Sequence, residues 1–213
     1  MSPLGPGRII ASVSVNPPGP TAPPSWGASA SPGFATRLVR GLLELLQTVV
    51  VAALLFFAVN LVTARIRVEG SSMEPTLHDG ELVVVSRLAY RWETPIRGDI
   101  VVFRFPLDPN RRFIKRIIGL PGDAIAVHDG KVWVNGTPLD EPYIAAPPRY
   151  SGDWQIRADE VFVLGDNRNN SSDSQNWGAL PLREVIGKAV LVYWPPDQVG
   201  LIPHYEEAVA AGE

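Results

Sequence analysis

From Leu45 to Ala64 the chain reads LLQTVVVAALLFFAVNLVTA, with no charged residue. A helix of that length rises about 30 Å, the thickness of a bilayer's hydrocarbon core. The run is apolar nearly all round, with Gln47, Thr48, Asn60 and Thr63 toward its ends, whereas a helix resting on a soluble core carries a polar face. It therefore reads as a transmembrane helix, with its flank beginning at residue 37. Arg37 and Arg40 before the span are balanced by Arg65 and Arg67 after it, so the distribution of positive charge alone does not orient it.

The span divides the rest of the chain. Residues 1–36 contain NPPGPTAPPSWGASASPG and lack a periodic apolar pattern, so burial cannot offset their ordering entropy and a disordered tail is expected. The charge order of a secretory signal does not start at the N-terminus. Residues 65–213 hold short apolar runs broken by turns: ELVVVSR, DIVVFRF, RFIKRIIG, AIAVHDGKVWVNG, EVFVLGDN and VIGKAVLVYW. These are strand patterns, and Asp129-Gly130 and Asn135-Gly136 are tight-turn signals. The fold expected is mainly β: a compact, β-barrel-like domain of antiparallel sheets from about Arg65 to Tyr193, preceded by one transmembrane helix. The final YEEAVAAGE suggests a short or frayed helical end.

Composition removes several classes of function. The net charge is −3 with basic residues scattered, so no nucleic acid partner is expected. The absence of cysteine excludes disulfides, thiolate catalysis and cysteine metal sites. With His78, His128 and His204 alone available, no metal site or cofactor is expected.

A serine becomes a nucleophile only when a base takes its proton, so the base is what must be found. The segment EGSSMEPTLHDG, residues 69–80, holds Ser71, Ser72 and His78. His78 and Asp79 supply the residue types of a triad, but triad members approach from separate parts of a chain. His78-Asp79-Gly80 reads instead as a turn before the strand ELVVV. Glu74 precedes Pro75 and is pushed toward an extended conformation, which would present Ser72 on an open chain. Met73 is a flexible apolar group that suits either the membrane surface or a gap in the core.

The second candidate base is Lys115, in RRFIKRIIGLPGD. On a strand it shares a face with Phe113 and Ile117, while Arg116 falls with Ile114 and Ile118. To act near neutral pH it needs a pKa drop of roughly three units, about 4 kcal/mol, which full burial can supply. Arg116 cannot fill this role, since a guanidinium stays protonated. From this segment alone, a strand lysine reaching out to solvent is the favoured reading. The third element, GDNRNNSSDSQNWG from Gly165 to Gly178, carries no apolar side chain until Trp177. It suits either a solvated loop or a polar scaffold that orients a neighbouring base.

These segments, in this order and behind a membrane span, resemble the type I signal peptidase family, the bacterial-type leader peptidases with a serine-lysine dyad. GSSMEPTL is similar to the family's nucleophile box, RGDIVVF to its strand motif, KRIIGLPGD to its general-base box and GDNRNNSSDS to its polar box. The resemblance implies a membrane-bound serine endopeptidase that removes N-terminal signal peptides from exported preproteins after small residues. It places the enzyme in the plasma (inner) membrane with its catalytic domain on the extracytoplasmic side. The partners it implies are signal-peptide-bearing preproteins, the lipid bilayer and the protein translocation machinery.

Position by position, the resemblance makes Ser72 the nucleophile and Lys115 its general base. Ser171 would hydrogen-bond the lysine amine, Asp173 and Arg168 would be structural members of the polar box, and Val68 and Ile114 would line the pocket for small residues. A serine that assists the oxyanion in some members falls here on Gly70, so a backbone donor is expected to serve. Asn169 stands where an Asp is common, which leaves a salt bridge there in question. Ser72 lies eight residues after Ala64, so an extended connection keeps it within about 27 Å of the span. The short stretch between Lys115 and Gly165 suggests a compact member without a large inserted β domain.

Overall fold

In a computed structural model of the chain the described residues are 33–205, together with Gly19. Most of the expected tail, and the chain end after Tyr205, lie outside them. The apolar run forms helix α1, Phe34–Val62, which starts inside the expected tail and stops before Ala64. Among the described residues it is the one helix long and apolar enough to cross a membrane, from Arg37 to Val62, and its large side chains such as Leu54, Phe57 and Leu61 are exposed. Thr63 and Ala64, read from the sequence as the end of the span, instead open strand β1, Thr63–Arg67. The reason is pairing: these residues run in antiparallel register against Leu82–Ser86. Helix α1 straddles two compact units, Met1–Val49 and Val50–Glu213, and the sheets belong to the second.

The remaining strands are β2 (Leu82–Ser86), β3 (Ile100–Phe105), β4 (Asp108–Gly119), β5 (Ala124–His128), β6 (Lys131–Val134), β7 (Thr137–Pro138), β8 (Gly152–Gln155), β9 (Glu160–Leu164), β10 (Leu180–Pro181), β11 (Val185–Trp194) and β12 (Gly200–Leu201). Two short helices, α2 (Ala89–Trp92) and α3 (Ser174–Trp177), interrupt them. All six apolar runs lie on strands. The Asp129-Gly130 and Asn135-Gly136 steps take positive φ at both residues, the left-handed geometry of tight hairpin turns, and connect β5 to β6 and β6 to β7.

The strands form two antiparallel sheets. The larger runs β1-β2-β11-β3-β4-β9-β10, with β12 on β11, and the smaller runs β7-β6-β5-β8. The large sheet does not close into a barrel. Strand β9 pairs only Arg116, Ile117 and Gly119 of β4, so the first half of β4 has a free edge. The gap between that edge and β1 is not bridged by hydrogen bonds; it is a cleft. The smaller sheet fills the stretch that the sequence suggested was too short for a large inserted domain.

Strand β3 is buried throughout its first four residues because it has a core on each face. Ile100 and Val102 join Val68, Met73, Val83, Val85 and Ile114 in one core, while Val101 and Phe103 join Ile117, Val161 and Val163 in another. The smaller sheet packs Ile125, Val127, Val132 and Val134 with Ile118 and Phe162 in a third. The registers also place Thr63, Ser86, Lys188, Val101 and Lys115 in one row across five strands.

Gly187 sits at a register shift in β11, where a Cβ would overlap the Ser86 carbonyl. Replacing it with Ala should destabilise the protein by about 1–3 kcal/mol. Thermal unfolding of the detergent-solubilised variant measures this.

Candidate active site

The segment after β1 is fixed from both sides. Val68 N donates to Glu81 O at 2.8 Å and Gly80 N to Val68 O at 2.9 Å, which closes the connection from β1 to β2. Within it, Glu74 N donates to Ser71 O at 3.2 Å and Leu77 N to Met73 O at 2.9 Å. These bonds wind residues 72–76 into turns, not the extended chain expected ahead of Pro75. Met73 and Leu77 are sealed in the first core, so the methionine fills a core gap and does not lie on a membrane. Anchored in this way, Ser72 is left half-buried at the edge of the cleft.

The polar run grips the same segment from the other side. Asn167 N donates to Ser72 O at 3.1 Å, and Asn167 Nδ2 to Ser71 O at 3.1 Å. Asn170 Nδ2 donates to Ser71 Oγ at 2.9 Å, so the first serine of the pair is engaged with the scaffold. Gly165 comes so close that a Cβ would overlap both Ser72 O and Ser171 Oγ.

Lys115 approaches from β4. Its Nζ lies 2.7 Å from Ser72 Oγ and donates to Ile114 O at 2.9 Å, and it sits 5.5 Å from the centre of the Phe113 ring. The side chain is 4% exposed. Burial lowers its pKa from 10.5 to about 8, with Asp173 and then Asp166 pulling it part of the way back.

The residues around the lysine have their own tasks. Asp173 caps α3 and accepts from Gly165 N at 2.9 Å and Gln175 N at 3.3 Å, and burial raises its pKa despite these bonds. Ser171 Oγ is buried beside this carboxylate and favours its charged form, but makes no hydrogen bond of standard geometry to any partner, Lys115 included. Arg168 is buried and pairs through both terminal nitrogens with Glu141, one contact at 2.7 Å, while its Nε donates to Gly165 O at 3.2 Å. Asn169 forms no ion pair: it accepts from Arg149 N at 2.9 Å and donates to Pro147 O at 3.0 Å, tying the run to residues 147–149. His78 lies at the turn, 3.3 Å from Glu81 Oε1.

The cleft beside Ser72 and Lys115 holds about 620 Å³, with Ile114 and Phe113 on its β4 side and Arg65 to Arg67 on its β1 side. Ile114 lines it; Val68 belongs to the core next to it, 1% exposed. Gly70 N donates to Asp79 Oδ1 at 2.7 Å, so that donor is occupied. Among the described residues, no acceptor takes the Ser72 N–H. Sequence reasoning missed Asn167, Asn170, Glu141, Asp79 and the Arg116–Asp166 pair, whose bonds are 2.8 and 2.7 Å and whose side chains are fully buried. The two Asn residues stood in the polar run, but nothing in the sequence marked Glu141.

A buried amine this close to a serine hydroxyl in an open cleft is the chemistry of a serine-lysine peptidase. Residues 42–194 match the family described as signal peptidase, peptidase S26. The chain belongs to this family. A probable signal peptidase I-2 of Synechocystis sp. is 46% identical over 168 residues, which cover 75% of this chain and 77% of that protein. The signal peptidase I of Leptolyngbya laminosa is 38% identical over 193 residues, covering 86% and 93%. Thylakoidal processing peptidase 1 of Arabidopsis thaliana is 36% identical over 156 residues, covering 68% of this chain and 46% of that one.

A serine-lysine mechanism at this site would require the neutral amine, so kcat/KM should rise tenfold per pH unit and level off above about 8. The unfolded lysine binds its proton up to 10.5 and the folded one only to about 8, so wild-type stability should also rise across that interval. Lys115→Met should remove this dependence and raise stability at neutral pH by on the order of 3 kcal/mol. Gly165→Ala should lower kcat with little change in KM, because the added methyl displaces Ser72 and Ser171. Initial rates on a preprotein, with melting curves across pH, check all of these.

Proposed function

We propose that the chain is a membrane-anchored serine endopeptidase that cleaves N-terminal signal peptides from exported preproteins after small residues. The observation that carries this reading is the 2.7 Å contact between Ser72 Oγ and an amine almost wholly withdrawn from water. Ser72 Oγ attacks the scissile carbonyl while the neutral Lys115 amine accepts its proton. The amine returns that proton to the leaving nitrogen, and an acyl-enzyme remains. Water deprotonated by the same lysine then cleaves the ester and restores Ser72. The unshared Ser72 N–H stabilises the oxyanion, and Gly70 contributes neither a hydroxyl nor its own N–H.

Ile114 offers an apolar wall one residue from the base, which favours a small side chain before the cut, with Val68 supporting that wall from the core. Asp173, Ser171 and Arg168 hold the lysine's surroundings in place. Helix α1 crosses the plasma membrane between Arg37 and Val62, the chain before it remains on the cytoplasmic side, and the sheets that begin at Thr63 act on the extracytoplasmic side. Substrates arrive there from the translocation machinery, still held in the bilayer by their own apolar segments. The charge-free stretch of α1 from Leu45 to Val62 supports a membrane crossing.

Digestion of a model preprotein by the full chain in detergent, with the cut read by mass spectrometry, tests the reading. The wild-type chain should release a signal peptide ending in a small residue. Ser72→Ala and Lys115→Ala should release none while keeping a folded far-UV spectrum, and full activity in either would remove the dyad.

A further inference from the structure

Arg104 and Arg112 stand directly opposite each other on β3 and β4, a placement in which like charges repel. Arg87, just after β2, joins them around a cavity of about 270 Å³ that Val185 and Ile186 complete. All three arginines are exposed, and among the described residues none forms an ion pair. The acids close by do not neutralise them. Glu184 lies 3.5 Å from Arg183, Asp108 accepts from Asn110 N at 3.2 Å, and Glu93, which forms no ion pair among the described residues, shares an adjoining cleft with Arg87, Arg91 and Arg183, three cations to one acid.

The position of this cavity indicates what fills it. The chain leaves α1 at Val62, whose carbonyl accepts from Arg87 N at 2.9 Å, and enters the row that joins Thr63 to Lys115. Past that row, on the side from which the chain enters β1, β3 and β4 continue as a hairpin. Arg104 is three residues beyond Val101, so it stands about 10 Å past the row. Leu107 at the hairpin tip is 74% exposed, and Trp92 on α2 is 78% exposed. Large apolar side chains beside unpaired arginines, at the end of a membrane span, match a bilayer interface in both polarity and charge.

We propose that this end of the large sheet docks on anionic phospholipid headgroups, with the arginine cavity taking the phosphate and Leu107 and Trp92 entering the acyl boundary. The inference rests on α1 being a membrane span and adds the lipid chemistry that the domain selects. Guanidinium groups suit this role because they meet phosphate oxygens in pairs.

The chain has no cysteine, so Leu107→Cys gives a single site for an environment-sensitive fluorophore in the full-length protein in nanodiscs. Blue-shifted emission is expected in discs of phosphatidylglycerol and phosphatidylcholine, and water-like emission in phosphatidylcholine alone. Adding Arg87→Glu and Arg104→Glu should abolish the shift while leaving cleavage of a short soluble peptide unchanged. The same emission in both discs, or a shift that survives both substitutions, would overturn the proposal; the comparison of discs needs no arginine variant to fold. At matched ionic strength the shift should persist equally in inorganic phosphate and in chloride. Its loss in phosphate alone would assign the cavity to free phosphate and reject the lipid. A chain that does not enter nanodiscs would overturn the membrane-span reading together with this one, whereas water-like emission from an incorporated chain would overturn this one alone.

Discussion

A buried amine keeps a low pKa only while no carboxylate neutralises it, and Lys115 has two, Asp173 and Asp166, within electrostatic range. Both are committed elsewhere. Asp166 receives two bonds from Arg116, and Asp173 receives the amides of Gly165 and Gln175. Consecutive residues of β4 thus point their charges to opposite sides of the sheet, one paired with an acid and the other left beside a hydroxyl. Arg116 also lies 4.0 Å from the Tyr143 ring, so the guanidinium that takes up Asp166 is held by the small-sheet core as well. An arginine suits this task because it never competes for the role of base, and removing it would leave an unpaired buried carboxylate near the amine.

The polar run from Gly165 is a truss between Lys115 and Ser72. Its backbone and amide groups reach Ser71 and Ser72, its aspartates flank Lys115, and its arginine is tied to Glu141 near the small sheet. A solvated loop has no such set of distant partners. The close approach of Gly165 explains why the run begins where β9 ends: only a residue without a Cβ lets that strand's end rest against the carbonyl of Ser72.

The apolar runs and the two hairpin turns could be read from the sequence because they depend on local alternation and on steps needing positive φ. The spacing on β4 was also legible, since period-two alternation sets Lys115 with Phe113 and Ile117, and both belong to one core. The start of β1 was not legible, because Thr63 and Ala64 are as compatible with the end of an apolar helix as with a strand, and the choice lies with partners some twenty residues downstream. The turn at Ser72 was misread for a similar reason: Pro75 suggested an extended chain, and the burial of Met73 and Leu77 overrode it. Glu141 could not be found because the pairing of a lone acid with Arg168 is decided by tertiary folding.

One feature of the large sheet sets a fixed level. Thr63, the first residue after α1, and Lys115 share a row of the same hydrogen-bond ladder, so the Lys115 amine stands at the height where the apolar helix ends. The ladder works as a ruler measured from the end of the helix. Loops may lengthen or shorten around it, yet the plane in which a peptide bond can be cut stays the same.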